Sequence, residues 1–205
     1  MIITKNTDRK EEALIEKEFL NHLGDVTLKY LLYMTGMGTL LIVYFMYTDV
    51  VIRHNLLAMY TRILPLILCV FMFIFQLFTQ QKYKRFKTIY TNIILLSVIL
   101  MMYEKCIVHI YERAIYSSVA GTIVVIFIVS LFIKTNAINT IIMYFVPTII
   151  FVIIIYLMPD VPRESILAAS NIYPIIILGL IANRIQNNLR YKAFKSNYLL
   201  NVEKK

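Results

Sequence analysis

Apolar residues along this chain come in long unbroken blocks, with the charged residues gathered between them. Uncharged runs cover residues 30–48, 63–81, 88–103, 114–133, 135–159 and 165–183. A bilayer core about 30 Å thick takes about 20 helical residues at roughly 1.5 Å each. Five of the six runs reach that length, and 88–103 reaches it by borrowing Phe86 or by letting Lys87 snorkel. Backbone in lipid must satisfy its own hydrogen bonds, so each run predicts a helix. The fold expected is all-α, a polytopic bundle of six transmembrane helices over residues 30–183.

The flanks predict two further helices. Residues 1–29 form a cytoplasmic amphipathic entry segment, helical over 8–23. Asp8 with Glu11 three residues on resembles a capping box, and Ile15, Phe19 and Leu23 recur at a spacing of four as an apolar stripe. That stripe either lies on the membrane surface or docks on another cytoplasmic helix, such as the basic terminal segment. Residues 184–205 contain neither Gly nor Pro, so the last span is expected to continue as a helical arm about 33 Å long. Tyr191, Phe194 and Tyr198 fall at a and d spacing, with Leu199 and Val202 extending the edge, the pattern of a parallel coiled coil between two copies. Within the spans, Gly36 and Gly38 predict a locally close helix approach. Pro65 sits in a first turn, where it is tolerated, while Pro147 and Pro174 are expected to kink the fifth and sixth spans.

Composition agrees with the pattern: 60% of the residues are hydrophobic and 16% charged, far from the balance of soluble domains. The polar, acidic opening predicts no cleavable signal sequence. Charge sets the orientation. With six spans, one side collects 16 of the 21 Lys and Arg residues, including those of the loop Lys82, Lys84, Arg85 and Lys87, and the other side five. Positive charge stays inside, so a multi-pass protein of the cytoplasmic (inner) membrane with both termini cytoplasmic is expected. The formal charge of +9 then reads as orientation plus attraction to anionic lipid headgroups, and not as nucleic-acid binding.

Candidate chemistry is sparse. The six runs contain no Asp, Glu, Lys, Arg or His. That argues against a mid-membrane proton relay, a retinal Schiff-base lysine, paired haem histidines or an intramembrane protease centre, so no catalytic residue and no cofactor are implied. Gln76, Asn92, Ser97, Asn139, Thr148, Ser170 and Asn171 read as bundle packing, with Asn171 placed to bridge backbone groups freed by Pro174. The minority reading is a cleft for a small neutral or lipid-like ligand, for which Asn92, Asn139, Asn171 and Tyr173 are the candidates. In the outer loop 104–113, Cys106, His109 and Glu112 share a helix face at spacings of three. They make a conceivable metal trio with His54, against the plainer reading of an interfacial amphipathic helix. Cys69 and Cys106 give no disulfide framework.

The arm "LRYKAFKSNYLLNVEKK", with Arg190, Tyr191, Phe194, Leu199, Leu200 and Glu203, and the entry segment "EFLNHLGDVTLKY" carry a resemblance. The layout resembles the six-span input region of bacterial membrane signalling proteins, the nucleotide and diguanylate cyclases and related sensor kinases, without an effector domain. That resemblance implies a non-catalytic, dimeric sensor or anchor module relaying a signal through its last helix to a cytoplasmic effector, either as the membrane part of a longer transducer or as a free-standing relative. The alternatives are a small transporter or channel, or a structural subunit that binds another membrane protein.

Overall fold

The computed structural model describes residues 2–79, 82–132 and 137–203, with side chains over 12–26, 28–79, 82–130 and 140–200. Among these residues there is no strand. The helices are α1 (Ile2–Tyr47), α2 (Leu56–Tyr60), α3 (Ile63–Thr79), α4 (Lys84–Val108), α5 (Ile115–Phe132), α6 (Ala137–Leu157), α7 (Arg163–Ser170) and α8 (Ile172–Glu203), with a π-helical turn, Thr48–Ile52, continuing α1. Five stretches are long and apolar enough to cross a membrane: Glu12–Ile52, Leu56–Thr79, Lys84–Val108, Thr140–Leu157 and Arg163–Leu200. The sixth apolar helix is shorter over its described part, Ile115–Ser130. The chain is therefore built as a multi-pass membrane protein.

Two apolar cores share α4. One gathers Leu28, Leu31 and Ile42 of α1, Cys69 and Met72 of α3, and Ile94 of α4. The other gathers the C-terminal half of α4, around Ile99 and Tyr103, with Ile126 of α5, Tyr144 and Phe151 of α6, Ala168 and Ala169 of α7, and Ile172 and Ile176 of α8. Outside these cores, large side chains such as Phe78, Tyr156, Ile177 and Ile181 point away from the bundle. A helix apolar on both its packed and its outward faces suits lipid and not water. The glycine expectation is met by contact: a Cβ on Gly36 would lie 3.0 Å from the Phe73 ring, and one on Gly38 3.7 Å from Cys69 Sγ. Those two glycines let α3 close on α1.

Several boundaries differ from the sequence reading, each for a physical reason. The entry segment and the first span are one helix of 46 residues, without a break between 23 and 30. A surface-lying entry helix would need a bend there, and Ile15, Phe19 and Leu23 are buried within the protein instead. The short third run is lengthened at both ends into 25 helical residues. Lys87 packs against the protein, its Nζ 5.8 Å from the centroid of the Phe75 ring, a cation–π contact. Pro174 lies inside the stretch Arg163–Leu200, and the helix is interrupted three residues before it, at Asn171, so that α8 begins at Ile172 and the missing N–H of Pro174 falls in a first turn. Asn171 is exposed, and its backbone N–H donates to the Ala168 carbonyl (3.2 Å); its side chain bridges nothing among the described residues. Pro147 does lie inside α6.

Candidate functional site at the α5–α6–α8 junction

Where α5 ends, three helices exchange a buried set of hydrogen bonds. Ser130 Oγ donates to the Ile126 carbonyl one turn earlier (2.7 Å) and pairs with Tyr144 OH of α6 (2.8 Å). Asn183 of α8 donates through Nδ2 to the Ser130 backbone carbonyl (2.9 Å). Ser130 lies near the last described residues of α5, and the Asn183 amide gives its carbonyl a hydrogen bond from α8. Ser130, Tyr144 and Asn183 are all buried, and Gly179, one turn before Asn183, leaves the gap that the Ser130 hydroxyl fills. Each such interhelical bond contributes about 0.6–2 kcal/mol, so their joint effect is to fix the register of α8 against α5.

Below this junction the ladder continues along α8. Asn187 Nδ2 donates to Asn183 Oδ1 (3.0 Å), and Arg190 Nη2 donates to Gln186 Oε1 (3.1 Å). The arm then meets α1. Phe19 packs edge-on against Tyr191 (centroids 5.3 Å) and tilted against Phe194 (5.6 Å), His22 lies 5.3 Å from Phe194, and Tyr198 stacks on Phe194 at 6.2 Å. Lys195 reaches Glu12 at 3.5 Å, a surface pair of small worth. Of the two readings for the Ile15–Phe19–Leu23 stripe, docking on the terminal arm is the arrangement found. The aromatic residues expected at a seam between copies, Tyr191, Phe194 and Tyr198, face α1 of their own chain, while Leu199 (39% accessible) and Leu200 (50%) lie on the exposed side. Val202 falls outside the residues whose side chains are described. A cleft of about 470 Å³ opens between α1, α6 and the junction, lined by Glu16, Leu23, Ile141, Leu180, Arg184 and Asn187 among others.

The opposite end is held by a buried ion cluster. Asp49, in the π-helical turn, is fully inaccessible; Arg62 Nε lies 2.6 Å from its Oδ2 and Arg53 Nη1 3.0 Å from its Oδ1. The Arg62 guanidinium also sits over the Phe45 ring, 5.0 Å from the centroid. Nearby, Tyr103 OH pairs with Thr148 Oγ1 (2.8 Å), and Thr148 Oγ1 bonds the Tyr144 carbonyl (2.6 Å) in the turn that Pro147 weakens. Ser165 Oγ donates to the Ile110 carbonyl, and Tyr111 OH donates to the Pro159 carbonyl (2.6 Å). The last two bonds tie the loop 109–114 to the segment 158–165, while the ion cluster holds the segment 49–62.

The residues singled out from sequence do not converge. Cys106 is buried and bonded to Thr122 Oγ1 of α5 (3.3 Å), whereas the buried His109 pairs through Nδ1 with the exposed Glu112 (2.9 Å). Among the described residues no group of three His, Cys, Asp or Glu side chains is placed to hold a metal, so the trio with His54 is not assembled. Asn92 is half-buried in α4, and Asn171 is exposed. Tyr173 lines a separate cleft of about 520 Å³ between α6 and α7–α8 with Tyr156 and Asp160. Asn139 lies outside the residues whose side chains are described. The residues that sequence reasoning missed, Ser130, Tyr144, Asn183 and Asp49, carry a weak signal at best. Asn183 closes an apolar run, and Asp49 with Arg53 stands at the helical spacing of four. Compared with family models, curated proteins and solved structures, the chain matches none.

Proposed function

We propose that this chain is a non-catalytic membrane sensor or anchor module that relays a signal along α8 to a cytoplasmic effector. In this reading six helices cross the inner membrane, both ends lie in the cytoplasm, and two copies work together. The observation that carries it is the continuity of α8, one helix from Ile172 to Glu203 whose first half packs on α5 and whose second half docks on α1. A rigid helix transmits a shift of its membrane half to its far end, and displacements of about 1–2 Å suffice in known switches. The Lys and Arg asymmetry of the loops supports the orientation. The resemblance to signalling input regions supports the effector.

The test is helical phase. With a dimerisation-dependent reporter joined after residue 205, one alanine inserted between Arg190 and Tyr191 turns everything beyond it by about 100° and should abolish output. Insertion of four should largely restore it. Output that ignores insertion length overturns the relay. Two labelling experiments accompany it. Leu199→Cys should cross-link between copies in native membranes, because that face is exposed, while Phe19→Cys with Phe194→Cys should close within one chain. A Phe194→Cys protein that cross-links efficiently between copies would show that the aromatic face leaves α1. Lys192→Cys should stay shielded from an impermeant reagent in intact cells that labels Arg163→Cys, and the reverse result overturns the orientation.

A further inference from the structure

A third cleft, of about 460 Å³, opens where α1 passes the end of α3 and the start of α4. Asp25 and Lys29 of α1 and Lys84 of α4 line it, together with Leu32, Tyr33 and Leu77. Lys84 Nζ lies 2.5 Å from Asp25 Oδ1, so an ion pair joins α1 and α4 at this point. Lys29 stands one turn beyond Asp25 on the same face of α1, about 5–6 Å between Cβ atoms. It is exposed and has no ion-pair partner among the described residues. The three groups therefore share one small patch, two cations against one carboxylate, and that carboxylate is already held. An ammonium has three N–H donors, so Lys84 keeps donors beyond the one aimed at Asp25.

The patch stands at the edge of the apolar blocks. Lys29 immediately precedes the uncharged run 30–48, and Lys84 lies in the basic loop between the runs 63–81 and 88–103, where Lys82 and Arg85 are also exposed. Both lysines thus fall at the same end of the bundle, the level of a headgroup in the membrane reading. From Lys29 the cleft leads into the uncharged stretches. Tyr33, one turn further into α1, is 71% accessible, and Leu77, four residues before the run 63–81 ends, is 51% accessible. An exposed tyrosine at that depth suits the interfacial belt, and an exposed leucine beside it suits an acyl chain.

We propose that this cleft holds the headgroup of an anionic phospholipid. Its phosphate sits between the Lys29 and Lys84 ammonium groups, and its acyl chains follow Tyr33 and Leu77 along the outward faces of α1 and α3. Charge balance selects the anionic class. With Asp25 bound to Lys84 the patch carries one surplus positive charge, which a headgroup of single negative charge offsets. A zwitterionic headgroup brings no net charge and sets its own cation among Lys29, Lys84, Lys82 and Arg85. A basic protein is attracted to anionic membranes in general; here one lipid is placed on two named lysines. The site depends on the membrane reading and not on signalling, so a flat result in the insertion experiment leaves it standing.

The test offers the purified full-length chain, in detergent, equal amounts of phosphatidylglycerol and phosphatidylcholine of identical acyl chains, with bound lipid counted by native mass spectrometry. Phosphatidylglycerol should be retained about fivefold or more over phosphatidylcholine, the scale of one lysine at a membrane surface. Lys29→Gln should remove most of that preference. Lys84→Gln should remove it too, because it leaves the Asp25 carboxylate facing the headgroup. Asp25→Asn should act in the opposite direction and raise phosphatidylglycerol retention, since it frees Lys84; an ion pair that only joins helices gives no such gain. All three side chains are exposed, so the variants should fold. Lys192→Gln, at an exposed lysine on the arm, should change nothing. Equal retention of the two lipids, a preference that survives Lys29→Gln, or lower retention in Asp25→Asn overturns the site. So does a loss in Lys192→Gln as large as that in Lys29→Gln, which would reduce the binding to diffuse charge. Glycerophosphate at the lipid's concentration should not compete; if it does, the ligand is a free phosphate ester and the lipid assignment fails.

Discussion

Asp49→Ala should destabilise the folded chain by about 3–5 kcal/mol, more than any neighbouring charge removal, when unfolding is followed by helicity in detergent micelles. The size follows from what is left behind. Arg62 is only 3% accessible and its Nε rests on Asp49 at 2.6 Å, while its Nη2 has no hydrogen-bond partner among the described residues. Without the carboxylate, a buried guanidinium keeps only the Phe45 ring, a contact worth about 0.5–2 kcal/mol. Arg53→Ala should cost less, about 1 kcal/mol, since that side chain is 44% accessible and Asp49 keeps its bond to Arg62. Replacing both charges, Asp49→Leu with Arg62→Met, should recover most of the loss, because a well-packed apolar pair avoids the desolvation cost of the ions. An Asp49→Ala protein within about 1 kcal/mol of the parent would mean that water enters the cluster and that Arg62 is not sealed.

The helices themselves were legible from the chain because lipid leaves the backbone no other choice: a run of about 20 apolar residues is a helix whatever its neighbours do. Where a helix begins is another matter. The run at 165–183 is uniformly uncharged, yet the helix breaks at Asn171 and restarts so that Pro174 falls in a first turn. Hydropathy records solubility in lipid and carries no mark of that restart. The stripe predicts an entry helix over 8–23, yet the helix runs on through Gly24, since an isolated Gly costs only about 1 kcal/mol in a helix. The packing of Ile15, Phe19 and Leu23 on one side and of Leu28 and Leu31 on the other outweighs it. The spacing of Tyr191, Phe194 and Tyr198 announced a packed face and was silent on what would pack there; the structure supplies Phe19 of the same chain. The junction was harder still. Ser130, Tyr144 and Asn183 come from three helices, and no local spacing links them. The same holds for Asp49 and Arg62, thirteen residues apart with a π-helical turn and a short helix between them.

Gly179 offers the sharpest test of that junction. A Cβ there would collide with the Ser130 hydroxyl, while Ser130 Cβ is at an ordinary 3.4 Å and Ile126 Cγ2 at 3.8 Å. Exchanging Gly for Ala inside a helix would on its own stabilise by about 1 kcal/mol. Here the collision should reverse the sign. Ser130 Oγ is committed to the Ile126 carbonyl and to Tyr144 OH, so it moves only by breaking one of those buried bonds or by pushing α8 away and stretching the bond from Asn183. Gly179→Ala should therefore destabilise by about 1–3 kcal/mol, and Gly179→Val by more, since its γ-methyls reach further into α5. Ser130→Ala alone leaves Tyr144 OH with only its long bond to the Ile126 carbonyl (3.3 Å) and should cost about 1–2 kcal/mol. The double variant removes the obstructing oxygen, lets the new methyl occupy its space and keeps the helix-propensity gain. It should be more stable than Gly179→Ala by about 1 kcal/mol or more, a coupling far outside additivity. Additive costs would place Ser130 and Gly179 apart and dissolve the register lock between α5 and α8. If the coupling holds, the phase of the arm that leaves this junction is set by one hydroxyl seated in the gap of one glycine.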